Sequence, residues 1–150
     1  MKCRYKYCKH GGEVDKSIAI KEGTAYYHKE CLYEKNMKNK IEEYWFNNFP
    51  NVTISILRKV MNQLINDNKI DVDYIMFTMK YIRKFNKPIN SPFGLLNYCN
   101  DNNIKQSYKK EIINKKYNDM KDKIDSVEIS SEEVKYTYKP KNIKKITDLI

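Results

Sequence analysis

Histidine occurs only twice in this 150-residue chain, as His10 and His28, and arginine only three times, as Arg4, Arg58 and Arg83. Two histidines are too few for an HNH-type nuclease, whose chemistry needs histidines for base and metal beyond any that hold the fold. The His-x-Glu and Pro-Cys-x-x-Cys pair of a zinc deaminase is also missing. The glycines, Gly11, Gly12, Gly23 and Gly94, are too scattered to build a GxxxxGK[ST] phosphate loop or a GxGxxG turn. Catalysis is therefore not expected. No apolar run approaches the roughly 20 residues of a membrane span, and charged residues make up 32% of the chain. The opening Met1-Lys2-Cys3-Arg4-Tyr5-Lys6-Tyr7-Cys8 is basic without an apolar stretch behind it, so it does not read as a secretory signal. A cytosolic location is expected.

What is abundant is lysine. The formal net charge is +10, and clustered cations release counterions from phosphate backbones. The scarcity of arginine limits what that charge can do, because bidentate reading of base edges leans on the guanidinium fork. The chain is also crowded with Asn, Ile and Tyr, the composition of an AT-rich coding sequence, which accounts for part of the lysine. In a reducing compartment the four cysteines are read as metal ligands or buried thiols rather than as disulfides.

Three regions separate by pattern. In the first, Ser17-Ile18-Ala19-Ile20 and Thr24-Ala25-Tyr26-Tyr27 flank Lys21-Glu22-Gly23 and predict a hairpin. A helix is expected over 29–48, with Leu32, Met37, Ile41, Tyr44 and Trp45 apolar, closing before Pro50. Thr53 is placed to cap a second helix whose stripe is Ile54, Leu57, Val60, Met61, Leu64 and Ile65, ending near Asn66-Asp67-Asn68. Asp71 or Asp73 caps a third, the most buried, in which Tyr74, Phe77, Tyr81 and Phe85 share one face and Ile75, Met79 and Ile82 the next. Ser91-Pro92 predicts an N-cap and first helical position leading into Phe93, Leu95, Leu96, Tyr98 and Cys99. A last helix, about 104–124, carries Tyr108, Ile112, Ile113, Tyr117, Met120 and Ile124 on one side and Lys105, Lys109, Lys110, Lys116 and Lys123 on the other. The segment 125–150 loses the helical period and is expected to be a docked edge or a flexible basic arm. The division expected is 1–48, 49–124 and 125–150.

Cys3-x4-Cys8 and His28-x2-Cys31, separated by 19 residues, carry the strongest chemical signal. Zinc favours thiolate and imidazole in a closed tetrahedral set. The hairpin supplies the span back to His28 and Cys31, which stand three apart on one helical face. Cys3, Cys8, His28 and Cys31 are thus the expected ligands of one structural Zn²⁺, with His10 a competing ligand in place of Cys3 or Cys8. Cys99 lies in an apolar stretch and reads as a buried small hydrophobe. Tyr5, Tyr7, Tyr26, Tyr27 and Tyr33 interleave with Arg4, Lys6, Lys9 and Lys29, which suits either base stacking or a minimal core.

The first 31 residues resemble a treble-clef zinc finger, most nearly the first half of a LIM-type module or the finger of poly(ADP-ribose) polymerase type. Those fingers also end in His-x2-Cys but usually place two residues, not four, between the first cysteines. The resemblance implies four protein ligands and no open coordination position. The 54–65, 74–85 and 88–99 segments are vaguely similar to the helical domain of DnaD-like replication proteins, and the whole resembles small accessory proteins of phages and mobile elements, which implies a bacterial host cell.

The expected fold is mainly α: a treble-clef-like zinc module with a hairpin, an α-helical domain and a basic tail. The expected function is DNA binding through Arg4, Lys6, Lys9, Lys105, Lys109, Lys110, Lys116, Lys139, Lys141, Lys144 and Lys145. The alternative is an inhibitor or adaptor acting on a host protein, such as a nucleic-acid-guided nuclease, with zinc serving only the fold.

Overall fold

A computed structural model describes residues 1–125, so Lys139, Lys141, Lys144, Lys145 and the strand-like Lys135–Lys139 lie outside the described residues. The fold is mainly helical, with one antiparallel hairpin ahead of the helices, as expected. The elements are β1 (Ile20–Glu22), β2 (Ala25–Tyr27), α1 (Lys29–Asn48), α2 (Ile54–Asn62), α3 (Val72–Lys84), α4 (Gly94–Asn100) and α5 (Asn102–Asp125). Met1–Lys115 form one compact unit, and a second begins at Lys116. No helix among the described residues is long and apolar enough to cross a membrane.

The hairpin is shorter and later than the sequence pattern suggested. Ser17-Ile18-Ala19 belongs to a turn, because Asp15 captures it: the Ser17 amide and hydroxyl donate to Asp15 Oδ1 at 2.9 and 2.8 Å, and the amides of Ile18 and Ala19 donate to the Asp15 carbonyl. Such local side-chain bonds compete directly with strand pairing. The strands pair Ile20 with Tyr27 and Glu22 with Ala25 around Gly23-Thr24. Gly23 has φ +60°, at the position where a type II′ hairpin turn needs a positive φ.

α1 serves two cores. Its first turn gives Cys31 and Leu32 to a small cluster with Cys3, Val14 and Tyr27, whereas Met37, Ile41 and Trp45, one turn apart, enter the main core. The helix stops before Pro50, whose carbonyl accepts from Trp45 Nε1 at 3.1 Å. α2 presents Leu57, Val60 and Met61, then widens into a π turn over Gln63–Asp67 that turns Leu64 and Ile65 inward as well. Thr53 stands at the N-cap with its backbone alone, making no side-chain cap. Asp71 caps α3 by accepting from the Asp73 amide at 2.7 Å.

α3 packs against both α1 and α4 and buries Val72, Tyr74, Ile75, Thr78, Met79 and Ile82. Its aromatic face emerges gradually: Tyr74 is buried, Phe77 and Tyr81 half-buried, and Phe85 is 54% exposed. The helix ends there, so nothing continues alongside Phe85. α4 begins two residues later than expected. Gly94 and Leu95 donate to the carbonyls of Ser91 and Pro92, and this tight i→i+3 turn takes up the stretch read as a helical start. Cys99 is fully buried, as expected, and burial pushes its thiol up to about 11.

α5 departs most from its expected one-sided pattern. Ile104 is fully buried, and Tyr108 packs on Tyr74 and Phe77 at ring distances of 5.0 and 5.1 Å. Farther along, Ile113, Tyr117, Met120 and Ile124 are 57 to 69% exposed. The stripe is present in the sequence, and among the described residues its first end, Ile104 and Tyr108, joins the main core.

Candidate metal centre

Two glycines let the first loop double back. Gly11 and Gly12 have φ of +74° and +80°, a region open to glycine at little cost. The reversal brings the Gly12 carbonyl to the Cys3 amide at 2.7 Å, while the Arg4 amide donates to Tyr26 at 3.0 Å. Cys3 is thereby held against β2. A turn closed by Cys8 N–H to the Tyr5 carbonyl brings the second thiol round. His28 occupies the N-cap of α1 in extended conformation, and Cys31 follows in the first turn.

These local features converge on one point. The ligand atoms of Cys3, Cys8, His28 and Cys31 all lie within 4.8 Å of one another, close enough to bind a metal ion. His28 Nδ1 stands 3.5 Å from Cys8 Sγ and 3.7 Å from Cys31 Sγ. With metal–sulfur bonds of about 2.3 Å and metal–nitrogen bonds of about 2.0 Å, sulfur–nitrogen edges of a zinc tetrahedron are about 3.5 Å. The spacing is compatible with zinc. Cys3 and Cys31 are buried and Cys8 and His28 partly so. His10 stands outside the four, its ring 4.5 Å from that of His28.

Crowding also polarises the thiols. Burial, together with Cys8 and Cys3, pushes the Cys31 thiol up to about 12. At Cys8 burial acts in the same upward sense, but hydrogen bonds from the backbone at His10 and Gly12 and from Cys31 and Cys3 outweigh it, giving about 7. Three thiols this close ionise together only with a cation among them.

A polar network ties this loop to the helices. Tyr5 donates to Glu34 Oε1 at 2.6 Å, Lys38 Nζ donates to Tyr5 at 2.6 Å and pairs with Glu34 at 3.2 Å, and the ammonium lies 4.5 Å from the centre of the Tyr7 ring. Asn62 on α2 donates to the Tyr7 hydroxyl at 3.0 Å. Burial lowers the Lys38 pKa more than Glu34 restores it, whereas at Glu34 burial is outweighed by Tyr5 and Lys38, so its carboxyl stays low. Of the interleaved tyrosines, Tyr5, Tyr26 and Tyr27 pack in the small core, and Tyr33 is exposed with its hydroxyl on Asp73 at 2.6 Å.

The basic residues read from sequence divide. Lys9 borders a recess of about 800 Å³ together with Lys29 and Lys69, and Lys105 and Lys109 border a second of about 340 Å³; Ile70 and Asp71 line both. Arg4, Lys6, Lys110 and Lys116 are exposed and line neither. Lys69 escaped the sequence reading, and Lys29 entered it only among the cations interleaved with the tyrosines of the first region. Lys69 follows the π turn with φ +56°, and no local pattern announces that placement. Glu30, Glu34 and Asp71 share these linings, and Lys9 is paired with Glu34 at 3.5 Å.

Compared with family models, with curated proteins and with solved structures, the chain has no match.

Proposed function

We propose that the protein is a small, non-catalytic DNA-binding accessory protein of the kind carried by phages and mobile elements, built on a treble-clef-like zinc module. The four ligands form a closed Zn²⁺ site with no position left for a substrate, so the metal serves the fold. A doubled-back cysteine loop, a hairpin and a helix carrying the last ligand pair are the parts of a treble clef.

One observation carries the DNA reading. Lys9, Lys29, Lys69 and, one turn apart on α5, Lys105 and Lys109 come from four separate places in the chain and border two recesses with shared walls. With the net charge of +10, such a row suits a phosphate backbone. Four to six phosphate contacts give a log–log slope of affinity against salt of roughly −4 to −5 for duplex DNA. Lacking arginine pairs, the protein should discriminate unrelated sequences by no more than about tenfold. Anisotropy titrations of the full chain against two unrelated duplexes at several salt concentrations test this. Lys69→Glu with Lys109→Glu should make the slope shallower by about 2, and absence of binding at 50 mM salt would rule the reading out.

The second reading, an inhibitor or adaptor that binds a host protein, has one observation in its favour. Ile113, Tyr117, Met120 and Ile124 share a face of α5 and are 57 to 69% exposed, and a row of large apolar side chains left in water is a common mark of a protein contact.

A further inference from the structure

The end of α3 gathers aromatic rings and cations, of which Tyr81 and Tyr98 pack against the main core while Phe85 stands outside it. Tyr81 and Phe85 lie 4.4 Å apart between ring centres. Lys84 Nζ sits 5.6 Å from the centre of Phe85, and Lys87 Nζ sits 5.7 Å from Tyr81 and 6.0 Å from Tyr98. The backbone builds this grouping. Asn86 adopts φ +47°, and the Lys87 amide returns to the Ile82 carbonyl at 2.9 Å, the six-to-one closure of a Schellman turn. That reversal folds Lys87 back over Tyr81.

Lys87 also lines a recess of about 250 Å³, together with Arg83, Asn48, Asn86 and apolar residues; none of the three rings lines it, and among the described residues no carboxylate does. Arg83 forms no ion pair among the described residues, whereas Arg58 is held by Glu42 at 2.8 Å. Cations at a helix C-terminus suit the helix dipole, which accounts for Arg83 and Lys84 but not for a phenyl ring 54% exposed beside Lys84.

We propose that this surface is a contact site for single-stranded nucleic acid, with a base stacked on the exposed ring of Phe85 and the neighbouring phosphate held by Lys87 and Arg83. A flat exposed ring beside cations that can reach a phosphate is the recurring arrangement of sequence-tolerant single-strand binding. Asn48 and Asn86 add donors and acceptors for a base edge or a sugar. The proposal shares its ligand class with the DNA reading above and rests on it to that extent; the surface and the strand form are different.

The test is an anisotropy titration of the full chain with a fluorescein-labelled 15-residue oligothymidylate and, in parallel, a 15-base-pair duplex. Phe85→Ala and Phe85→Leu should each weaken oligothymidylate binding about tenfold while leaving duplex binding in place. Leucine restores apolar bulk without a π face, so it separates stacking from packing, and an unchanged melting midpoint confirms its fold. Arg83→Gln should make the salt slope on the single strand shallower by about 0.7. Wild-type protein that ignores oligothymidylate at 50 mM salt, or a Phe85→Leu variant that binds it like wild type, overturns the proposal. Loss of duplex binding in Lys69→Glu/Lys109→Glu, with oligothymidylate binding retained, supports two separate surfaces. Duplex binding without single-strand binding overturns this site alone.

Discussion

The two cores of this chain are built from opposite materials. Among the described residues the main one buries 17, nearly all aliphatic or aromatic, drawn from α1 to α5; the small one buries four, of which two are the thiols of Cys3 and Cys31. Burial of large apolar side chains is enough to hold the first. Val14 and Tyr27 cannot do the same for the second, and a closed metal site supplies folding free energy where apolar area is short. α1 thus spans both cores, with Cys31 in a cluster whose ligand atoms lie close enough to bind a metal ion and Met37, Ile41 and Trp45 in the hydrophobic one.

The largest expected effect breaks the small core. Cys31→Ser should abolish the roughly one zinc per chain and unfold the N-terminal loop and hairpin, because three ligands do not complete the site. Elemental analysis and the near-ultraviolet signal of the tyrosines would follow this. Cys99→Ser should leave the zinc in place. If both variants lose metal alike, the site is misassigned.

In the main core the corresponding change is Leu57→Ala. Leu57 is fully buried, so the truncation should cost about 2 to 5 kcal/mol, read as a lower denaturation midpoint by far-ultraviolet circular dichroism. Zinc content of the folded protein should not change. Metal loss at denaturant concentrations where the helices persist would show the two regimes to be one.

How much of this was readable beforehand differs between the regions. Cysteine and histidine spacing pointed directly to the four residues whose ligand atoms the fold gathers within 4.8 Å, since side chains able to ligate are named by their chemistry. The helical periods of 54–65 and 72–84 were equally plain, and Pro50 marked the end of α1. The hairpin was misjudged at Ser17-Ile18-Ala19 because β-propensity does not register the Asp15 side chain that takes those amides. Ile113, Tyr117, Met120 and Ile124 look like core residues in any periodicity, and only the packing tells that Tyr108 is the last ring of α5 to reach the interior. The row of Lys9, Lys29 and Lys69 depends on tertiary proximity that no spacing encodes.

A smaller effect tests the seam between the regions. Glu34→Gln leaves the buried Lys38 ammonium without its carboxylate and should cost about 1 to 3 kcal/mol. Glu34 titrates below the usual carboxylate range in the folded protein, so its contribution is full above the unfolded value near 4.3 and fades as pH falls through the lower folded value. Denaturation of wild type and variant should therefore converge toward acid pH; a constant gap between pH 7 and pH 3 would contradict the network. The smallest effect is expected of Arg58→Gln, which removes an exposed pair with Glu42, and its midpoint should match wild type because exposed pairs contribute little.

The most direct test of the central claim is metal removal followed at both cores at once. Protein purified with zinc is treated with excess chelator, and hydrogen exchange is compared at the hairpin amides of β1 and β2 and at those of α3, with Trp45 fluorescence recorded alongside. If a metal holds the small core, protection collapses in the hairpin while α3 stays protected and the fluorescence of the fully buried Trp45 is unchanged. Hairpin protection that survives complete removal of the metal, or simultaneous loss of protection in α3, would contradict it.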